Sequence, residues 1–171
     1  FALAATALAR QIGMSRTTFR NASGLPHRGQ LSTARDMARL AQVLIHRHGK
    51  FYHYFSRTHF SYDGRKHRNH NKLLASYEGA DGIKTGYINA SGFNLVATVE
   101  RKGVRLIGVV FGGKTSHSRD RHMMQILDNQ FKHLKTIKVR RASLAVPKIL
   151  PVAPPKRGKK SPDSLPVRET V

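Results

Sequence analysis

Lys84-Thr85-Gly86, near the middle of the chain, combines residue types that together can hold the anionic end of a peptide. A lysine ammonium is a compact charge that pairs with a carboxylate and biases nearby proton transfers, and a threonine hydroxyl can donate to the same anion. The glycine lacks a Cβ, so a substrate backbone can lie close against the strand that carries it. Taken alone, the triplet is also what many exposed turns contain. Its context is more specific. Asp81-Gly82-Ile83 precedes it, Asn89-Ala90-Ser91-Gly92-Phe93-Asn94-Leu95-Val96-Ala97 follows, and a further apolar run closes on Val109-Val110-Phe111-Gly112-Gly113.

Other chemistry is scarcer. The ten histidines include the pairs His46/His48, His67/His70 and His117/His122, none of them in a helical His-x-x-x-His pattern with an accompanying Glu, so neither a metal nor any other cofactor is expected. Cysteine is absent, which rules out disulfides and thiolate metal sites within these residues and leaves the redox compartment open. The net charge of +22 favours anionic partners as a class: nucleic acid, anionic lipid or acidic cell-wall polymer. No apolar run approaches the ~18 residues needed to span a membrane.

The elements that must position the triplet follow from periodicity. With 171 residues and 39% hydrophobic content there is room for one domain with a core. The chain opens on Phe1 rather than Met, so it is expected to begin inside something longer or to have been processed. The opening resembles the Ala-x-Ala end of a signal peptide, but it lacks a basic n-region, and Ala4, Ala5, Leu8 and Ile12 fit a packed helix over about 2–12 that stops at Gly13. An extended piece is predicted over 19–23. Ser32-Thr33 with Asp36 approximates a capping box, followed by Met37, Leu40, Ala41, Leu44 and Ile45 at helical spacing up to Gly49. An aromatic turn of helix is predicted at 50–55, then two short strands, 58–62 and 65–70, around the tight-turn dipeptide Asp63-Gly64. Strands over 93–99 and 104–111 flank Glu100-Arg101-Lys102-Gly103, the second apolar enough to be buried on both faces. A last helix is predicted over about 118–134, with Met123, Leu127, Phe131 and Leu134 on one face, Ser116 or Ser118 as cap and Asp120 in its first turn. The fold class is therefore α+β, an antiparallel sheet packed with helices.

Residues 135–171 differ in character. They hold six of the seven prolines and ten Lys or Arg against Asp163 and Glu169, a composition expected to give a disordered basic tail beyond a domain spanning 1–134.

The ordered string around Lys84 resembles the D-alanyl-D-alanine carboxypeptidases, the low-molecular-mass penicillin-binding proteins with a β-lactamase/transpeptidase-like fold. The resemblance extends through Asn21-Ala22-Ser23-Gly24-Leu25-Pro26, Ser32-Thr33-Ala34-Arg35-Asp36-Met37-Ala38 and Asn69-His70-Asn71-Lys72-Leu73-Leu74, covering about residues 1–134. It implies acyl transfer: a serine attacks the carbonyl between two D-alanines of a peptidoglycan stem peptide, the terminal D-alanine leaves, and water releases the shortened peptide. β-Lactams are the implied inhibitors, and the compartment implied is periplasmic or otherwise extracytoplasmic, with association with the membrane as a further implied option. By the same resemblance Lys84 is a catalytic-site residue, Thr85 and Gly86 bind substrate, and the backbone N–H of Tyr87, where many relatives have His, is an oxyanion-hole donor. Arg119 matches an arginine that helps hold the terminal carboxylate; a solvated arginine at a helix start is the plainer alternative. His70 stands where some relatives carry arginine.

No Ser-x-x-Lys and no Ser-x-Asn occurs in the 171 residues. In the family both lie upstream of the first helix, so this chain resembles the C-terminal part of the catalytic domain and is expected to be inactive alone. Two other readings stand beside the enzyme. One is a basic module binding nucleic acid or an anionic polymer, against which no nucleic-acid motif is present and no nucleic acid is expected; the other is an inactive fragment that only binds wall peptide. The basic tail is a further candidate for contact with anionic wall polymer or membrane.

Overall fold

A computed structural model describes residues 1–136. Helix α1 (Ala2–Gln11) ends against Gly13, whose φ of +87° is the left-handed conformation a glycine tolerates. The extended piece predicted at 19–23 reduces to one bridge between Thr18 and Leu31. Helix α2 (Ala34–Arg47) starts at Thr33, whose hydroxyl accepts the Asp36 N–H at 3.1 Å.

Only half of the capping box forms. The Asp36 carboxylate turns the other way, accepting from the Arg16 N–H at 2.8 Å and the Thr17 hydroxyl at 2.7 Å. It thereby clamps the loop after α1 to α2, and it does so at 4% exposure. Burial pushes its pKa up, but hydrogen bonds from Thr17, Arg16 and Thr33 and the nearby charge of Arg10 hold it below its ordinary 3.8. A depressed carboxylate contributes stability that is complete above the unfolded value and disappears as pH falls through the folded one. Asp36→Asn is accordingly expected to lower stability by about 1–3 kcal/mol at neutral pH, with the gap to the wild type closing below about pH 4. Denaturant titrations at both ends of that window check it; a gap that stays constant would remove the carboxylate's charge from the account.

Helix α3 (Gly49–Tyr52) is followed by the hairpin of β1 (His59–Tyr62) and β2 (Arg65–Arg68), which turns through Asp63 and Gly64, both at positive φ. After α4 (Leu73–Ser76), the antiparallel sheet is built in the order β3 (Ala80–Ile88), β4 (Gly92–Arg101) and β5 (Val104–Gly113). The β4–β5 turn likewise places Lys102 and Gly103 at positive φ, the backbone that two-residue hairpins require.

Helix α5 (Ser116–Thr136) and α2 cover opposite faces of this sheet. Alternation along β4 sends Leu95, Ala97 and Val99 into a core with Met123 and Leu127 of α5, while Val96 joins Ala41 of α2 and Ile83 of β3. A smaller core, Ala9, Ile12, Met14 and Val43, joins α1 to α2.

Two expectations are corrected here. It is β4, buried from Leu95 to Val99, that is enclosed on both faces; β5 lies at the edge and leaves Val104 and Phe111 more than two-fifths exposed. The cap of α5 is Thr115, whose hydroxyl accepts the Ser118 N–H at 3.0 Å while Ser118 Oγ accepts the Thr115 N–H at 3.1 Å. Asp120 therefore lies past the first turn and is buried. The basic, proline-rich tail falls, past Thr136, outside the described residues.

Candidate active-site cleft

Strand β3 is an edge strand of the described sheet. β4 pairs with one side of it, setting Lys84, Thr85, Gly86 and Tyr87 opposite Val96, Leu95, Asn94 and Phe93. The other side keeps backbone donors and acceptors open to an added strand. Lys84 is exposed, its ammonium resting on the carbonyl of Thr85 at 2.7 Å. At Gly86 an added Cβ would meet only Asn94 Cβ, at 3.9 Å, so nothing in the fold itself demands glycine there, and the space above the strand stays free. Tyr87 is 55% exposed, packs its ring on Phe93 at 4.3 Å and donates its hydroxyl to Asn89 Oδ1 at 2.7 Å.

A cleft of about 1810 Å³ runs between this strand and the β1–β2 hairpin, and it brings together all five residues singled out from the sequence, Lys84, Thr85, Gly86, Tyr87 and Arg119. Arg119 is not the solvated side chain of the plainer alternative, since it is only 2% exposed. Its Nε and Nη2 donate to Asp120 Oδ1 at 2.9 and 2.7 Å, and Nη1 to the Asn94 carbonyl at 3.1 Å. Those bonds use three of a guanidinium's five N–H groups. They also fix α5 to the strand opposite Gly86.

Two features that hold β3 in place are not legible as contacts in the sequence, although Asn71 and Asp81 both fall in the stretches that carry the family resemblance. Asn71, buried at 3% exposure, donates from Nδ2 to the Gly82 carbonyl at 3.1 Å and accepts the Leu73 N–H, tying the Asn69-His70-Asn71 loop to the strand two residues before Lys84. Below the start of β3, Asp81 accepts from Thr98 Oγ1 at 2.6 Å and pairs with Arg105 at 2.6 Å, while Tyr52 shares its hydroxyl with Thr98 and Asp81. Burial, with Asp81 alongside and the Thr98 bond opposing, pushes the Tyr52 hydroxyl up to about 12, so it acts there as a neutral hydrogen-bonding group. Arg105 also pairs with Glu100 and lies over the Tyr52 ring at 5.3 Å. A cross-linked polar cluster thus fixes the end of β3 that leads into the triplet.

The chemistry available is that of holding an extended, anionic peptide. Ser116 lines the cleft but makes no side-chain hydrogen bond among the described residues, and the residue three positions on is Arg119 rather than lysine. It lacks the adjacent base that a serine nucleophile requires.

Solved structures with this arrangement of strands and helices include penicillin-binding proteins. Penicillin-binding protein 5 from Haemophilus influenzae superposes with a TM-score of 0.74 at 32% identity, over 77% of this chain and 39% of that one. Penicillin-binding protein D2 from Listeria monocytogenes, in its cefotaxime-bound form, gives 0.71 at 33% identity, over 76% of this chain and 54% of that one. Sequence comparison narrows the class. The D-alanyl-D-alanine carboxypeptidase family model matches residues 1–115, and the chain belongs to that family. Among its curated relatives, the D-alanyl-D-alanine carboxypeptidase DacC of Escherichia coli is 38% identical over 130 residues, which is 75% of this chain and 32% of the relative. The chain thus spans about a third of the length of the curated relatives it matches.

Proposed function

We propose that this chain supplies the substrate-holding edge of a serine-type D-Ala-D-Ala carboxypeptidase, which removes the terminal D-alanine of peptidoglycan stem peptides through an acyl-enzyme in an extracytoplasmic compartment. The observation that carries the reading is the exposed Lys84-Thr85-Gly86 on an edge strand facing a cleft. An extended stem peptide adds to β3 by backbone hydrogen bonds. Lys84 and Thr85 hold its terminal carboxylate, assisted by the two N–H groups that Arg119 has left, and the Tyr87 N–H serves the developing oxyanion. The nucleophilic serine and its lysine base come from outside these 171 residues. Family membership, the penicillin-binding fold of the neighbours and the open edge all support the peptide reading.

The purified 171-residue chain, incubated with a fluorescent penicillin, is therefore expected to show no covalent label after denaturing electrophoresis. A saturable label would mean that a serine within the chain, Ser116 first, is activated, and would overturn this division of labour.

A further inference from the structure

The β1–β2 hairpin forms a wall of the cleft that the carboxypeptidase reading leaves unused. Each of its eight strand residues is exposed, so it buries no face against the body of the protein. The stretch from 57 to 72 carries Arg57, Arg65, Lys66, Arg68 and Lys72, with three histidines, against the single acid Asp63. The ion pairs among the described residues engage Arg101, Arg105 and Arg119 and none of these cations. Among the described residues, no Asp or Glu lines the cleft. Walls of one sign around a concave surface focus the field and concentrate counter-charged ligands.

The register sorts the hairpin into two faces. His59 opposite Arg68 and Ser61 opposite Lys66 make one of them cationic. Phe60 opposite His67 and Tyr62 opposite Arg65 make the other aromatic, with Phe60 and Tyr62 55% and 70% exposed and the Phe60 and His67 rings stacked at 5.4 Å. Phe60 from the aromatic face and Lys66 and Arg68 from the cationic face all line the cleft, so a ligand lying there meets both a ring and charge.

We propose that the cleft side of the β1–β2 hairpin is a docking surface for an anionic polysaccharide strand that crosses the hairpin's rim, its charged groups pairing with Lys66 and Arg68 on one face and a sugar ring packing on Phe60 on the other. The strand then runs along the cleft towards Lys84. A flat bilayer cannot enter such a concavity, whereas a flexible polymer can. The choice of a polysaccharide over other polyanions rests on the wall-enzyme reading above; the charge and ring pattern do not.

The test uses the full 171-residue chain, titrated with dextran sulfate, neutral dextran, single-stranded oligodeoxythymidine and phosphatidylglycerol vesicles. Dextran sulfate is expected to bind and neutral dextran not to. K66Q/R68Q is expected to weaken dextran sulfate binding by at least about ten-fold and to flatten its salt dependence by roughly two charges. K156Q/R157Q/K159Q/K160Q, at the far end of the chain, is expected to weaken it less. F60A is expected to weaken it several-fold at unchanged salt slope, a readout that loss of charge alone would not give. Because the substituted hairpin residues are exposed, the melting curve should not move. Unchanged binding by the hairpin double variant overturns the proposal, as does tighter binding of the oligonucleotide or the vesicles through the same two cations. Failure of the carboxypeptidase reading looks different: a D-Ala-D-Ala peptide would leave residues 84–87 undisturbed while dextran sulfate still bound the hairpin.

Discussion

Arg119→Ala is expected to destabilise the fold by about 3–5 kcal/mol, among the largest effects of any single substitution in the chain. Arg119 and Asp120 are 2% and 6% exposed and are joined through two N–H groups to one carboxylate oxygen. Removing the guanidinium leaves Asp120 as an uncompensated buried charge and strips the Asn94 carbonyl of its donor. The origin of the loss is separable. In the double variant R119A/D120A no stranded charge remains, so it should be more stable than the sum of the two single variants predicts, by at least about 1 kcal/mol. Chemical denaturation of the four proteins gives that cycle. A single-variant effect within about 0.5 kcal/mol of zero would mean that the pair is not formed, and would return Arg119 to the role of a solvated side chain.

Gly79→Ala is expected to cost about 2–5 kcal/mol, from two sources that add. Gly79 has a φ of +80°, where an L residue is strained by about 1–2 kcal/mol. A Cβ there would also stand inside van der Waals contact of the Glu100 carbonyl oxygen, a backbone atom that cannot swing aside. Gly103 provides the control, because its φ is +75° and nothing lies within 4 Å of its Cβ position. Gly103→Ala therefore reports the conformational strain alone, and the difference between the two variants reports the clash. Equal effects would contradict the close approach of Gly79 to β4. The consequence reaches the cleft, since the Gly79 carbonyl accepts the Glu100 N–H at 2.9 Å and sets where β3 begins, at Ala80, one residue before Asp81.

Much of this was legible in the sequence wherever the determinants are local. Thr33 three residues before Asp36, Asp63-Gly64 between two short runs, and apolar spacing through α2 and α5 each specify a turn or helix with neighbouring residues only. The Lys84 triplet was legible because the fold family writes it in an uninterrupted string. What escaped has its partners far apart in the chain. The Tyr52, Asp81, Thr98 and Arg105 cluster joins residues up to 53 positions apart through side chains that each look like ordinary surface groups. Asp36 read as a helix cap because its actual partners, Arg16 and Thr17, lie 20 and 19 residues upstream. The strand 104–111 looked doubly buried because apolar composition does not reveal that β4, rather than β5, occupies the middle of the sheet. Likewise Arg119 could be aligned with a carboxylate-holding arginine, but its attachment to Asp120 and Asn94 depends on how α5 packs over the sheet.

The central claim is that the open edge of β3 receives a peptide carboxylate. It is tested most directly by following backbone amide resonances of the isotopically labelled chain during titration with a peptide ending in D-Ala-D-Ala, with its L-Ala-L-Ala counterpart as control. The account predicts shifts concentrated at residues 84–87, absent with the control peptide, and weakened at least about ten-fold in Lys84→Ala, as expected for loss of a charge-assisted contact of about 1.5–3 kcal/mol. Shifts spread evenly over the basic surface, equal for both peptides and unchanged in Lys84→Ala, would contradict it.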